Sequence, residues 1–340
     1  MRTLLLLWLF VAPGADTLRA MFWNVENFFD WRNDSTTVSD AEFSAAGERH
    51  WTWKRFQAKA NAFAKALFWV EAETGRLPDI IGLEEVENAF VLRQVLQKTA
   101  LRKLDYKYVH YDSPDRRGID VALFYRSSRL ELLDSRPCHL FDADSVLATR
   151  DILLCLFQKD SAKFAVLVNH HPSKYGGAAE SEPRRRIAVE RLRFLADSLA
   201  AIGIDRIIAG GDFNDTPDNP VFRLLEPALL PVHEHLFRRG LGTIKYDGKW
   251  DLIDHIYLSP ALLGAPGSSR SFAEEAGRQA DRAGEESFAR ARMQILRIPF
   301  LLTRDTVHSG EKPLRTYTGP RHTGGVSDHL PVLLELAFPP

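Results

Sequence analysis

The residues best placed to do chemistry are Asp212 and Asn214, in the stretch Arg206-Ile-Ile-Ala-Gly-Gly-Asp-Phe-Asn-Asp-Thr-Pro-Asp-Asn-Pro220. A short apolar run, Ile207 to Ala209, is bounded by Gly210 and Gly211 and reads as a buried strand. Alternation along extended chain sends Asp212 and Asn214 to one face and Phe213 to the other. A proton-accepting carboxylate and a hydrogen-bonding carboxamide then sit side by side where the strand stops. By themselves they fit an ordinary solvated turn equally well. The same grouping recurs at other strand exits, however. Asn24 follows the alternating Leu18, Ala20 and Phe22; Glu84 and Glu85 follow Ile80 to Leu83; Asn169-His170-His171 follow Phe164 to Val168. Asp254-His255 and Asp328-His329 lie in or beside further strands. Glu84 and Glu85 are adjacent, so alternation lets at most one of them face a given site.

These groups need elements to carry them to one place. Trp51 to Glu73 has helical spacing, with Phe56, Ala60, Phe63, Ala64, Leu67 and Val70 on one face and Lys54, Arg55, Lys59 and Lys65 off it. Gly75 and Pro78 end it. Asn88 to Leu101 is a second amphipathic helix, and Pro183 to Ala201 a basic one that delivers the chain to Ile207. Gly242 to Tyr246 and Leu252 to Leu258 read as a hairpin. The stretch 260–294 is rich in Ala, Gly, Ser, Arg and Glu and reads as a candidate mobile insertion with partial helix near its end. Strands therefore recur in two halves, with helices after several of them. A two-sheet sandwich flanked by helices would gather the polar strand ends on one rim.

The chain has 340 residues, 45% of them hydrophobic, which is enough for a sizeable core. Its formal net charge of −1 excludes a global basic field that would draw it to nucleic acid, though not a local basic groove. Two cysteines, Cys138 and Cys155, exclude a disulfide framework and a cysteine zinc site. Met1-Arg-Thr, the apolar run Leu4 to Ala12 and Pro13-Gly-Ala read as a secretory signal, with cleavage near residue 15. That implies an exported protein with a single domain over residues 16–340. No other long apolar segment exists, so an integral membrane protein is not expected.

Six segments in order resemble the endonuclease/exonuclease/phosphatase superfamily, which includes deoxyribonuclease I. They are Trp23-Asn-Val-Glu-Asn27, Pro78-Asp-Ile-Ile-Gly-Leu-Glu-Glu85, Val168-Asn-His170, Gly211-Asp-Phe-Asn214, Leu252-Ile-Asp254 and Ser327-Asp-His-Leu-Pro331. Longer strings, Asn24–Asp30, Ser113–Arg126 and Arg315–Pro331, are similar to a subgroup of exported bacterial members. The resemblance implies a four-layer α/β sandwich, a divalent metal (Mg2+, or else Mn2+ or Ca2+), and hydrolysis of a phosphate ester by in-line attack of water. Under it, Glu85 is the main metal ligand, with Asn24 beside the metal and Asp328 a second acidic contact. Asp212 activates the water, Asn214 fixes its geometry, His329 contacts phosphoryl oxygens and Asp254 orients His329. His170 contacts phosphate, and the motif's register alone separates it from His171. Glu84 is the bystander and His255 is structural. Arg117, Lys174 and Arg321 are candidates for holding substrate phosphate or are solvated loop charges. The substrate implied is a phosphodiester such as DNA or RNA. A phosphomonoester, a lipid headgroup or a non-catalytic binding role are the alternatives.

Overall fold

A computed structural model describes residues 17–33, 38–174, 177–263 and 290–338 as two six-stranded sheets packed face to face. In chain order the sheet strands are β1 (Thr17–Phe28), β2 (Ile80–Val86), β3 (Tyr106–His110), β4 (Asp120–Arg126), β5 (Glu131–Cys138) and β6 (Ile152–Lys159). They continue with β7 (Ala162–His170), β8 (Ile207–Asp212), β9 (Leu230–Pro231), β10 (Asp254–Leu258), β11 (Ala291–Ile295) and β12 (Val332–Ala337). The first sheet runs β11-β12-β1-β2-β4-β3 and the second β9-β10-β8-β7-β6-β5. Helices α1 (Trp53–Thr74) and α2 (Ala89–Lys98) cover the outer face of the first sheet, and α3 (Ala178–Ala201) that of the second. This is the expected α/β sandwich of four layers.

Burial on both faces explains why the central strands, such as β2, β4, β7 and β8, are largely apolar. Along β1, Leu18, Ala20 and Phe22 point between the sheets, while Met21, Trp23 and Val25 point outward to α1. Burying each such large side chain is worth about 1.5–3 kcal/mol. Phe22 sits at the centre, and a Cβ at either Gly82 or Gly210 would strike its ring. Gly82, on β2 beside Phe22, and Gly210, on the facing sheet, thus both leave room for its ring.

Topology gathers the polar strand ends. Each sheet has one parallel pair of neighbours, β1 with β2 and β7 with β8. Parallel neighbours need a crossover, which α1 and α3 provide. Thr52 caps the start of α1, and Gly75, in the left-handed region at φ 79°, stops it. Parallel strands also finish on the same edge, so Asn24 lies opposite Glu84 and His170 opposite Asp212. Antiparallel β10 begins there, placing Asp254 opposite Asp212.

Four expectations change. Residues 291–294, expected as insertion with partial helix, belong to β11, which pairs with β12 at the sheet edge. Pro260–Leu263 is a helical turn with Leu262 and Leu263 buried, and 264–289 lie outside the described residues. The hairpin is Ile244–Tyr246 with Lys249–Asp251, while β10 joins the main sheet instead. Lys59, expected off the apolar face of α1, is 3% exposed. Cys138 and Cys155 are both buried and free, on strands whose register pairs them with Ile152 and Ser135 rather than each other. The expected signal at residues 1–15 lies outside the described residues. Among the described residues no helix is long and apolar enough to cross a membrane.

Candidate catalytic site

Asp212 Oδ2 is the hub of the rim. Asn24 Nδ2 donates to it at 3.0 Å and Asn214 Nδ2 at 3.3 Å. His170 Nε2 lies 3.6 Å away and His329 Nε2 3.9 Å away. The other oxygen, Oδ1, accepts from the Asn214 backbone N–H at 2.8 Å. His329 is fixed from behind, because its Nδ1 meets Asp254 Oδ2 at 2.9 Å. Its backbone is tied to β1 directly and also through Ser327, whose Oγ accepts from the His329 N–H at 2.9 Å. Trp23 Nε1 donates to the His329 carbonyl at 3.0 Å, and Ser327 Oγ donates to the Asn24 carbonyl at 2.6 Å.

Backbone bends aim these side chains. Glu26, Asn27, Glu85 and Asn214, all at the rim, have φ of 47°, 49°, 64° and 53°. Left-handed non-glycine residues cost energy and gather where function needs them. Gly211, at φ 132°, passes so close to the Asn169 carbonyl that no Cβ fits. The bend at Glu85 overturns strict alternation at the end of β2. A register shift between Glu84 and Val86 lets both carboxylates approach the same site from different sides. Glu85 Oε2 accepts from Asn27 N–H at 2.8 Å, and its Oε1 is 3.9 Å from His170 Nε2. Glu84 is fully buried and neither of its oxygens has a hydrogen-bond partner. Burial, and then the charges of Asp254 and Asp212, push its carboxyl far above the usual range, so it is a neutral acid beneath the site.

The same forces sort the other groups. Burial opposes a charge on His329, but Asp254 and Asp212 outweigh it and hold the ring as an imidazolium well above its ordinary range. Burial, and then the Arg150 and Arg117 guanidiniums, keep His170 neutral. Asp212 is pushed up to about 7, chiefly by burial, with Asp254 adding to the shift and His329 opposing it. The rim thus pairs a tunable base with a cationic donor across 3.9 Å.

His171, the other member of the His pair, turns away. It packs on Phe213, ring centroids 4.5 Å apart, and among the described residues neither of its ring nitrogens has a partner. His255 stacks on the far side of Phe213 at 5.0 Å and His233 on His255 at 4.3 Å. Burial pushes His171 down to about 3 and His233 to about 4. Unfolded, such a ring takes a proton near pH 6.5. Folded, His171 resists until pH falls much further, so its contribution to stability is intact above that value and drains away below it. His171→Phe forfeits no hydrogen bond. It is expected to gain about 2 kcal/mol on the wild type between roughly pH 7.5 and pH 5. Urea unfolding of both proteins at the two pH values checks this. A stability gap that does not change with pH would contradict it.

The expected metal residues are placed less uniformly. Asn24 has both polar ends engaged, Nδ2 by Asp212 and Oδ1 by the Glu26 N–H at 2.9 Å. It thus helps to fix the Asp212 carboxylate. Asp328 Oδ2 is 2.9 Å from Arg315, whose Nε reaches Glu26 Oε1 at 3.1 Å. Glu26 is a carboxylate whose role the sequence left unassigned. Burial, and then Asp328, push it up to about 7. Glu26, Glu85 and Asp328 bring three carboxylates to this rim, the donor type a hard divalent cation takes, but their oxygens do not converge into one compact group. Among the described residues the one compact group of His and acidic donors is elsewhere, at His110, Asp112 and Asp120. There Asp120 is already engaged by His110 at 3.1 Å and by the Ser113 N–H at 2.9 Å.

The expected phosphate cations also separate. Arg117 lies 3.7 Å from Asp115, and its charge is felt at His170. Lys174 is drawn to Asp215 at 2.6 Å. Arg321 is exposed on a two-residue strand whose neighbour His322 packs on Tyr317. Sequence reasoning missed Arg150. It is buried, held by Asp115 at 2.9 Å and donating to the His171 carbonyl at 2.6 Å. Its place at the end of a loop gave no periodic signal.

The profile described as "Endonuclease/Exonuclease/phosphatase family" matches residues 19–338. Protein angel of Drosophila melanogaster is 27% identical over 202 residues, 54% of this chain and 54% of that protein. The chain thus spans about half the length of this curated relative. The human nocturnin catalytic domain with bound sulfate superposes with a TM-score of 0.54 at 17% identity, covering 95% of each chain. A Bacteroides thetaiotaomicron mannosyl-6-phosphatase gives a TM-score of 0.54 at 16% identity, covering 94% of this chain and all of that one. The two structural likenesses establish the fold. The profile spans nearly the whole chain, and by that match this protein belongs to the endonuclease/exonuclease/phosphatase family, whose members are hydrolases of phosphate esters.

Proposed function

We propose that this protein is a divalent-metal-dependent phosphodiesterase, most simply of the nuclease type. The observation that carries the reading is the Asp212 hub facing the Asp254-clamped imidazolium of His329. Asp212 takes the proton of the attacking water, and Asn24 and Asn214 fix the direction of its carboxylate. Neutral His170 and cationic His329 donate to phosphoryl oxygens as negative charge grows on them. A Mg2+ or Mn2+ ion held by Glu85 and Asp328, with Glu26 behind them, would add positive charge at the same oxygens. A diester is favoured over a monoester because rim cations are largely neutralised, Arg315 by Glu26 and Asp328 and Lys174 by Asp215. A singly charged diester needs less compensation than a doubly charged monoester.

The test is a panel of DNA, RNA, inositol phosphates, sphingomyelin, bis(p-nitrophenyl) phosphate and p-nitrophenyl phosphate, each with Mg2+ or Mn2+ and again with EDTA. Hydrolysis of diesters that stops in EDTA and returns with metal is expected. Full turnover in chelator would reject the metal. Cleavage of monoesters alone would reject the diester preference.

A further inference from the structure

The feature that the proposed chemistry leaves unused is Lys59. It lies on α1 among the residues that pack the outer core, between Phe56 and Phe63, at 3% exposure. Its amine sits 5.1 Å from the Phe28 ring centre and 5.9 Å from that of Trp51. It donates to the Glu26 backbone carbonyl and, at 2.9 Å, to Thr316 Oγ1. No ion pair with it occurs among the described residues, and burying an unpaired ammonium is costly. Burial lowers its pKa to about 8, while the fields of Glu26, Glu85 and Asp328 work the other way. Its two bonds join the turn that carries Glu26 to the segment that leads to Asp328.

We propose that Lys59 is a positioning residue that locks the three carboxylates Glu26, Glu85 and Asp328 into their working arrangement. This rests on the metal reading of the site given above. The connections are direct. Lys59 holds the carbonyl of Glu26, the first of two consecutive left-handed residues, a conformation that L side chains adopt only at a cost. That turn presents the Asn27 N–H to Glu85 Oε2 at 2.8 Å. The Glu26 carboxylate accepts from the Thr316 N–H at 2.6 Å and from Arg315, which grips Asp328. Thr316 Oγ1 accepts from Lys59 and closes the loop. One buried amine thus joins the end of β1, the exit of β2 and the segment leading to Asp328.

Two effects of removing it oppose each other. Losing a like charge would tighten cation binding, whereas losing the clamp would let Glu85 and Asp328 drift and weaken it. Lys59 as a positioning residue requires the second to win. The test is Mn2+ binding, followed by electron paramagnetic resonance of the free ion, on wild type, Lys59→Met, Lys59→Arg and Thr316→Val. Thermal midpoints and KM for bis(p-nitrophenyl) phosphate accompany it. Lys59→Met is expected to weaken Mn2+ binding about tenfold, equivalent to about 1.4 kcal/mol. Substrate KM at saturating Mn2+ should stay within about twofold of wild type, and Lys59→Arg should recover most of the metal affinity. Unchanged or tighter Mn2+ binding by Lys59→Met would overturn the proposal. Where Lys59→Met fails to fold, Thr316→Val decides, since it keeps the helix intact and removes one arm of the clamp. Several-fold weaker binding supports the proposal, and wild-type binding refutes it. A wild-type protein that binds no Mn2+ overturns the metal reading itself, and the two failures are thereby told apart.

Discussion

Asp212→Asn is expected to lower kcat by about 10²–10⁴-fold without loss of fold. Asparagine keeps the shape of the side chain and can still accept from Asn24 through its amide oxygen, so the hub stays assembled. What it cannot do is accept a proton at useful pH. The wild type carries a second signature of the same role. Its Asp212 carboxyl is pushed up to about 7, so the base is increasingly protonated, and the rate falls, as pH drops through that value. The limb should vanish from the residual activity of the variant. Steady-state release of p-nitrophenol from bis(p-nitrophenyl) phosphate across pH measures both. A variant within tenfold of wild type would remove Asp212 from the role of base.

His329→Ala is expected to cost about 10²–10³-fold in kcat/KM, the scale for losing a preorganised donor at developing negative charge. Asp254→Asn should cost less by itself, because it leaves the ring in place but withdraws the carboxylate that holds the ring protonated at 2.9 Å. Deprotonation of His329 then comes at lower pH, and the alkaline limb of the rate profile moves down. If Asp254 works only through His329, the double variant is no slower than His329→Ala alone. Multiplied losses would show an independent task for Asp254. Circular dichroism guards against the simpler explanation of a collapsed β10, since Asp254 pairs directly with Asp212 in the sheet.

Much of the architecture was legible because both faces of the central strands are buried. Runs such as Ile80 to Leu83 and Ile207 to Ala209 have one plausible fate, and the polar residues that interrupt them mark where the strands stop. The helices were legible from period and punctuation, Thr52 and Gly75 around α1 being the clearest case. Residues 291–294 were not. The strand Ala-Arg-Met-Gln-Ile alternates for only five residues and follows a low-complexity stretch, so composition outweighed pattern. Lys59 was misplaced because a helical wheel assigns lysine to solvent, and the carbonyl and hydroxyl that satisfy it come from residues 26 and 316.

The sequence by itself determined which chemical groups are available and that each stands at a strand end. Asp212 and Asn214 do meet, but through the left-handed bend at Asn214 beyond the end of β8 and not through alternation along the strand. Only the tertiary structure decided what each group does electrically and which neighbour it serves. Burial among other carboxylates made Glu84 neutral and raised Asp212, and contact with Asp254 kept His329 charged. Bends at Glu26, Asn27 and Glu85 broke the alternation that had separated Glu84 from Glu85. Desolvation, Coulomb interaction and backbone strain depend on partners up to three hundred residues away in the chain, such as Asn24 and Ser327, and no local pattern encodes them.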